Sequence, residues 1–396
     1  MSKLSEMIAR LCPNGVEYRK IKDTFKRLRG TPITAGQMKQ IQNDDGEIMI
    51  FAGGKTAVRA KEKDILRANI TRVPAVLVQS RGIIDFIYCD KPFTFKNEMW
   101  AYTADDPITV KYLYYVLQNN AKAFREAASG MGALPQISLK VTEDFSIPLP
   151  PLPVQREIVQ ILDNFANLTA ELTAELTAEL AKRKKQYEHY RDMLLNFEGG
   201  GRYDKFGVES GEFRVEWKRL GEIIESGAIN MMRGDYITKK EAAPGEIPVI
   251  LGGQEPAYFI NRFNHEGKAI VISRSGASAG FVSYWNEPIF VTDGFAFDCD
   301  ESRLNTRYLF HWMKNNQARL NGMKKGGGVP HITGENLKSL EIPLPPLAEQ
   351  ERIVAILDRF DSLCNSLTEG LPAEIALRKK QYEYYRDRLL SFKEVG

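Results

Sequence analysis

Cysteine is scarce in this chain, and so is every pattern that would turn it into chemistry. Cys12, Cys89, Cys299 and Cys364 stand singly among 396 residues, with no pair at metal-ligand spacing and no density that could frame a disulfide scaffold. They read as free thiols. His189, His265, His311 and His331 are too dispersed for a metal site or a triad. No run approaches the roughly 18 apolar residues of a membrane span. The opening MSKLSEMIARLCPNG lacks a long apolar core followed by a small-residue cleavage site, so a cytoplasmic protein off the membrane is expected. Charge of neither sign predominates: 54 Lys and Arg against 51 Asp and Glu leave +3, which neither proves nor excludes a nucleic-acid partner.

Catalytic signatures are missing in the same way. GGKT at 53–56 looks like the end of a phosphate loop, but that loop needs glycine where Met49 stands. The second half of the chain has Gln254 at the lysine position. EWK at 216–218, with Asp204 upstream, mimics a nuclease set but sits in what reads as a charged linker without a second acidic ligand. No glycine-rich fingerprint follows a strand, and no Asn-Pro-Pro-aromatic or Asp-Pro-Pro-aromatic run is present. A non-catalytic chain is expected.

What the chain does contain is repetition. Residues 168–180 read LTAELTAELTAEL, built from strong helix formers with threonine as the only weak member. A leucine every fourth residue drifts about 40° per step around a helix, so this word alone cannot make a straight stripe. The flanks complete one: Ile158, Ile161, Phe165, Leu168, Leu172, Leu176, Leu180, Tyr187, Tyr190, Leu194 and Phe197. The steps follow the 3,4 alternation of a coiled-coil seam with two extra 4s in the middle, stutters that relax the supercoil. Arg183 fills the one slot that is not apolar.

The seam is present twice. Adding 195 to each number gives Ile353, Ile356, Phe360, Leu363, Leu367, Leu371, Ile375, Tyr382, Tyr385, Leu389 and Phe392, with Arg378 in the same odd slot. IPLPPL at 147–152 returns at 342–347, and RKKQYEHYRDMLL at 183–195 returns as RKKQYEYYRDRLL at 378–390. This is an internal duplication. Ahead of each helix lies a segment of about 145 residues rich in Val, Ile, Phe and Gly and punctuated by turns, a mixed, strand-rich globular domain. Landmarks recur in order: RGTPIT (29–34) and RGDYIT (233–238), IFAGG (50–54) and VILGG (249–253), QSRG (79–82) and SRSG (273–276). KYLYYVLQNN (111–120) matches RYLFHWMKNN (307–316), and LPQI (134–137) matches VPHI (329–332).

That order of parts resembles the specificity subunit of Type I restriction-modification enzymes, in which two target-recognition domains alternate with two conserved helical regions. The IPLPPL lead-in and the RKKQYE.YRD.LL.F exit are its most specific marks. The resemblance implies a non-catalytic reader of double-stranded DNA that docks two methyltransferase subunits, with restriction-translocase subunits joining for cleavage. It implies a bacterial or archaeal cytoplasm and no cofactor on this chain, S-adenosylmethionine, ATP and Mg lying on the partners. The predicted boundaries are 1–146 and 201–341 for the recognition domains, and 147–200 and 342–396 for the spacer helices.

Residue geometry agrees. Helices over about 154–198 and 349–393, each roughly 67 Å long, cannot fold back into a globular domain. The expected fold is α+β: two strand-rich domains alternating with two long helices that pair as an antiparallel coiled coil, a pseudo-two-fold internal repeat. The prolines before each helix stiffen its start, while Gly370 and Pro372 predict a kink or break in the second. The seam side chains Phe165, Leu172, Leu176, Tyr187, Phe360, Leu367, Leu371 and Tyr382 are expected to be core, and the RKK runs a solvated face.

Base reading needs donors and acceptors on loops where glycine lets the backbone come close. The candidates in domain one are Arg29, Lys55, Thr56, Arg59, Gln79, Ser80, Arg81, Lys96, Asn97 and Gln136. In domain two they are Arg233, Gln254, Arg274, Ser275, Ser278, Lys324, Lys325 and His331, with the loop KKGGGVPH (324–331) suited to a phosphate or groove edge. A rival reading is a duplicated coiled-coil adaptor that joins two protein ligands and never touches DNA.

Overall fold

The duplication in the sequence is a duplication of structure. The computed structural model describes residues 3–54, 56–128, 134–197, 215–237, 243–251, 255–326, 329–365 and 370–395. It divides into two compact units, Met1–Glu175 with Ile375–Gly396, and Leu176–Glu374. In the first unit a four-stranded antiparallel sheet has the order Lys26–Leu28, Trp100–Thr103, Ala75–Gln79, Asp85–Cys89. A second sheet runs Ala57–Ala60, Ile48–Phe51, Phe93–Phe95, the last pair parallel, and Tyr18–Lys20 pairs with Ser146–Pro148.

The second unit repeats this strand for strand. Its four-stranded sheet is Ile229–Arg233, Gly294–Cys299, Lys268–Ser273, Val282–Asn286. Its smaller sheet is Tyr258–Ile260, Ile247–Ile250, Phe290–Val291, again with a parallel last pair. Glu216–Arg219 pairs with Glu341–Leu344, which corrects the reading of EWK as linker: those residues form a strand. In each unit one strand is buried along its length, Ala75–Gln79 at every position and Lys268–Ser273 at every position but Lys268. Strands covered on both faces read as continuous apolar runs, which is how the sequence spells them.

A capped helix covers each sheet. The Asp106 side chain accepts from Ile108 N at 2.8 Å to start Pro107–Asn119, and Asn305 accepts from Arg307 N and Tyr308 N to start Thr306–Asn315. Their buried faces, Tyr112, Leu113 and Val116 in one and Tyr308, Leu309 and Trp312 in the other, join the core of their own unit.

The first long helix runs Leu152–Leu195, 44 residues, and the second helical region divides into Leu347–Asn365 and Leu371–Leu390. The expected break is present, and glycine explains part of it. A Cβ on Gly370 would stand 2.6 Å from the Leu363 carbonyl oxygen, so only glycine lets the restart approach so closely. The lead-in motif also acquires a reason. Gln155 donates from Nε2 to the Pro150 carbonyl at 2.7 Å, and Gln350 to the Pro345 carbonyl at 2.8 Å, locking the proline turn onto the first helical turn. Among the described residues, no helix is long and apolar enough to cross a membrane.

The helices pair antiparallel, each contact inside one unit. Phe165 stacks on Tyr385 with ring centroids 5.5 Å apart in the first unit, and Phe360 lies 5.5 Å from Tyr190 and 6.4 Å from Tyr187 in the second. Leu172, Leu176, Leu371 and Tyr382 are half-buried. Leu367 falls outside the described residues. Leu168 is corrected: it is 63% exposed, because the four-residue step has carried it off the seam by the drift noted above.

One carboxylate per unit fastens the sheet-covering helix to the long helix. Asp163 takes the Tyr115 hydroxyl at 2.5 Å and Lys111 Nζ at 3.0 Å; Asp358, 195 residues on, takes His311 Nε2 at 2.6 Å and Arg307 Nε at 2.8 Å. Partial burial works against ionisation of Asp358, but the hydrogen bonds from His311 and Arg307 outweigh it and hold the carboxyl below its usual range. A depressed carboxylate stabilises the fold above its unfolded pKa, and the gain is lost as pH falls through the folded value. Asp358→Ala is expected to cost about 2 kcal/mol at neutral pH, toward the low end for breaking such a pair because the carboxylate is 40% exposed. The difference from the parent protein should shrink below about pH 4, as thermal melts across pH can show.

Candidate nucleic-acid interface

The landmark loops that lie far apart in sequence meet in space. In the first unit Arg81 forms an isolated antiparallel bridge with Gln136; Ile137 N donates to Ser80 O at 3.0 Å and Gly82 N to Pro135 O at 2.8 Å. In the second unit Ser275 bridges His331; Ile332 N donates to Arg274 O at 2.8 Å and Gly276 N to Pro330 O at 2.9 Å. The two corners match atom for atom along the backbone. Gly82 at φ 76° and Gly276 at φ 80° turn both in the left-handed region that a side chain disfavours. What differs is the side chains on this shared frame: Ser80, Arg81 and Gln136 in one, Arg274, Ser275 and His331 in the other.

Strand register adds neighbours. Arg233 stands opposite Phe295, and Ser273 opposite Gly294, so Arg233, Arg274 and Asp293 gather at one end of the larger sheet. Lys325 exchanges both backbone hydrogen bonds with His331 at 3.0 Å, and Lys324 Nζ donates to Ala277 O at 3.0 Å. Ser278 is exposed on the same loop. In the first unit a cavity of about 530 Å³ opens beside the corner, lined in part by Met38, Lys39, Thr56, Arg81, Lys96 and Leu134.

Not every candidate faces outward. Gln79 and Ser80 are each 1% exposed, and Ser80 Oγ donates to the Glu98 carbonyl at 3.0 Å. Both are corrected from exposed loop positions to buried ones: Gln79 ends a strand covered on both faces, and Ser80 follows it directly. Arg59 is exposed, but it reaches the Gly46 carbonyl at 3.5 Å and does not line the cavity. Arg29 and Asn97 are exposed, as are Thr56, Arg81 and Gln136. Lys55 and Gln254 lie outside the described residues.

Sequence reasoning missed the acids. Glu98 pairs with Lys96 at 2.7 Å, while Asp293 takes Arg274 Nε at 2.8 Å and the Ser275 hydroxyl on its other oxygen. It also missed Leu134 and Val329, 55% and 66% exposed, each directly before the proline of its corner. The repeated LPQI and VPHI held that signal, for an aliphatic residue kept at an exposed place twice is not serving a core. Among the described residues, no three of His, Cys, Asp and Glu gather as a metal set.

Comparison with known proteins points one way. The family described as Type I restriction modification DNA specificity domain matches residues 13–182 and again 214–377. The specificity subunit of the EcoR124I/EcoR124II type I restriction enzyme of Escherichia coli is 35% identical over 324 residues, 73% of this chain and 72% of that protein. A Haemophilus influenzae protein named as a type I restriction enzyme specificity subunit is 34% identical over 319 residues, 76% of this chain and 77% of its own. The S subunit of a type I restriction-modification system from M. genitalium shares the fold with TM-score 0.54 at 18% identity, over 95% of this chain and 96% of that one.

Proposed function

This chain belongs to the Type I restriction-modification DNA specificity family, and from that membership we propose that it reads a bipartite, asymmetric duplex target, one recognition domain to each half-site. The observation that carries the reading is the twin corner: one backbone frame, closed by Pro135 or Pro330, bearing different donors and acceptors in the two units. A conserved frame with altered side chains suits two readers of unlike sequence. In this reading the chain performs no chemistry. It docks two methyltransferase subunits through its helices, restriction-translocase subunits join for cleavage, and those partners hold S-adenosylmethionine, ATP and Mg.

The adaptor alternative separates on binding. With its methyltransferase partner, the chain is expected to prefer one bipartite duplex over random DNA by at least about 10³-fold at physiological salt. An adaptor gives a ratio near one. Replacing residues 1–146 by the equivalent domain of a relative should then change one half of the methylated sequence and spare the other. Methylome comparison reads this directly, and a change in both halves at once would sink the two-reader scheme.

A further inference from the structure

We propose that Arg274 reads a guanine in the half-site of the second recognition domain, and that Asp293 is the positioning residue that aims it. The inference rests on the chain being a DNA reader, and it assigns one base to one side chain.

The arginine is held before any ligand arrives. Its backbone N donates to Asp293 O at 2.9 Å, its backbone O accepts from Ile332 N at 2.8 Å, and its Nε donates to Asp293 Oδ1 at 2.8 Å. Ser275 holds the other carboxylate oxygen. With Nε engaged, the guanidinium is fixed in orientation, and its two terminal nitrogens have no partner among the described residues. The side chain remains 37% exposed against 25% for Asp293, so the guanidinium is the more open member of the pair.

A fixed fork of parallel N–H donors calls for two adjacent acceptors. In the major groove only guanine offers that pair, N7 and O6; adenine places an amino donor beside N7 and would oppose the fork. A phosphate is the other common partner of arginine, and the carboxylate argues against it. Asp293 offsets the charge of this guanidinium and would repel a full anion far more than the partial charges of a neutral base edge. Exposed Lys325 on the neighbouring bridge has no carboxylate partner among the described residues, and suits the backbone better. Holding the rotamer in advance removes an ordering cost from binding, which is what a positioning acid adds.

The first recognition domain is an internal control. Its equivalent of Arg274 is Ser80, 1% exposed and bonded to the Glu98 carbonyl, so no fork stands at this position of the corner, and Arg81 takes the place of Ser275 instead. Effects of Arg274 and Asp293 are confined to the second half-site.

The test uses the full chain assembled with its methyltransferase partner and a duplex library randomised over the target. The selected consensus is expected to hold guanine at one position of the second half-site. Arg274→Ala should erase discrimination there, worth roughly 5- to 150-fold between guanine and the other bases, while every other position keeps its preference. Asp293→Asn should relax the same position alone, and Arg274→Lys should not restore it. A duplex carrying 7-deazaguanine at that position, which lacks the N7 acceptor, should bind the parent protein more weakly and the Arg274→Ala protein no differently. The parent half of that arm leaves the protein untouched, so misfolding cannot imitate it. Uniform weakening across all sequences by Arg274→Ala, with a shallower salt dependence, would make this a phosphate contact and overturn the proposal, as would an unaltered consensus. Absence of any sequence preference in the parent assembly would overturn the DNA-reader reading itself, a distinct result.

Discussion

Aspartate at both Phe165 and Phe360 is expected to undo the helix pairing in each unit and to abolish assembly with partner subunits. Phe165 stacks on Tyr385 at 5.5 Å and 21°. Phe360 packs between Tyr187 and Tyr190, in surroundings dry enough that burial pushes the Tyr187 hydroxyl up to about 12. A carboxylate at either place forfeits the aromatic contact and brings a charge into apolar surroundings, a loss of about 2–4 kcal/mol per site for half-buried positions. At position 360 the native Asp358 and Asp361 add like charge. The two sites lie in different units and share no partner, so their costs add to about 4–8 kcal/mol. A domain holds about 5–15 kcal/mol in all. Circular dichroism should show helix content falling, and copurification should show the methyltransferase lost, while Phe165→Leu with Phe360→Leu keeps both. Helicity and assembly that survive the aspartates would mean that the seam does not join the helices.

Those phenylalanines were visible because a helix writes its contacts locally. Apolar residues three and four apart, repeated after 195 positions, announce both the helices and their pairing faces. The corners are different. Arg81 meets Gln136, and Ser275 meets His331, across more than fifty residues of intervening chain, and no periodicity encodes such a pairing. Order along the chain disclosed the landmarks but not that QSRG and LPQI touch. Polarity misled at Gln79 and Ser80, because the end of a strand buried on both faces can carry polar groups inward, and a backbone carbonyl receives the Ser80 hydroxyl there. Asp293 stayed hidden for the opposite reason. Alone, an acid argues against DNA, and only its bond to Arg274 gives it a use.

Deleting Thr173–Leu176 is expected to abolish methylation of the parent target and to create a new one whose gap is one base pair shorter, both half-sites unaltered in sequence. The helix Leu152–Leu195 is continuous through this word, and the division between the two units falls inside it, after Glu175. One word is about 6 Å of helix, against about 3.4 Å for a base pair, so length alone allows a change of one or two pairs. Rotation decides between them. Four residues turn the helix by about 40° beyond a full circle, close to the roughly 35° of one base pair and far from the roughly 70° of two. The second helical region restarts at Gly370 and Leu371, where a shift of one word meets an existing discontinuity and leaves the paired phenylalanines in place. Exposed Leu168 belongs to the same account: a word that drifts off the seam contributes length and rotation more than packing. Methylation mapping in a strain that carries the deletion reads the outcome, with a scrambled word of equal length as the control that keeps the parent gap. An unchanged gap with full activity would reduce the repeat to a passive stretch of helix, and an altered half-site would mean that the repeat bears on the reading loops themselves.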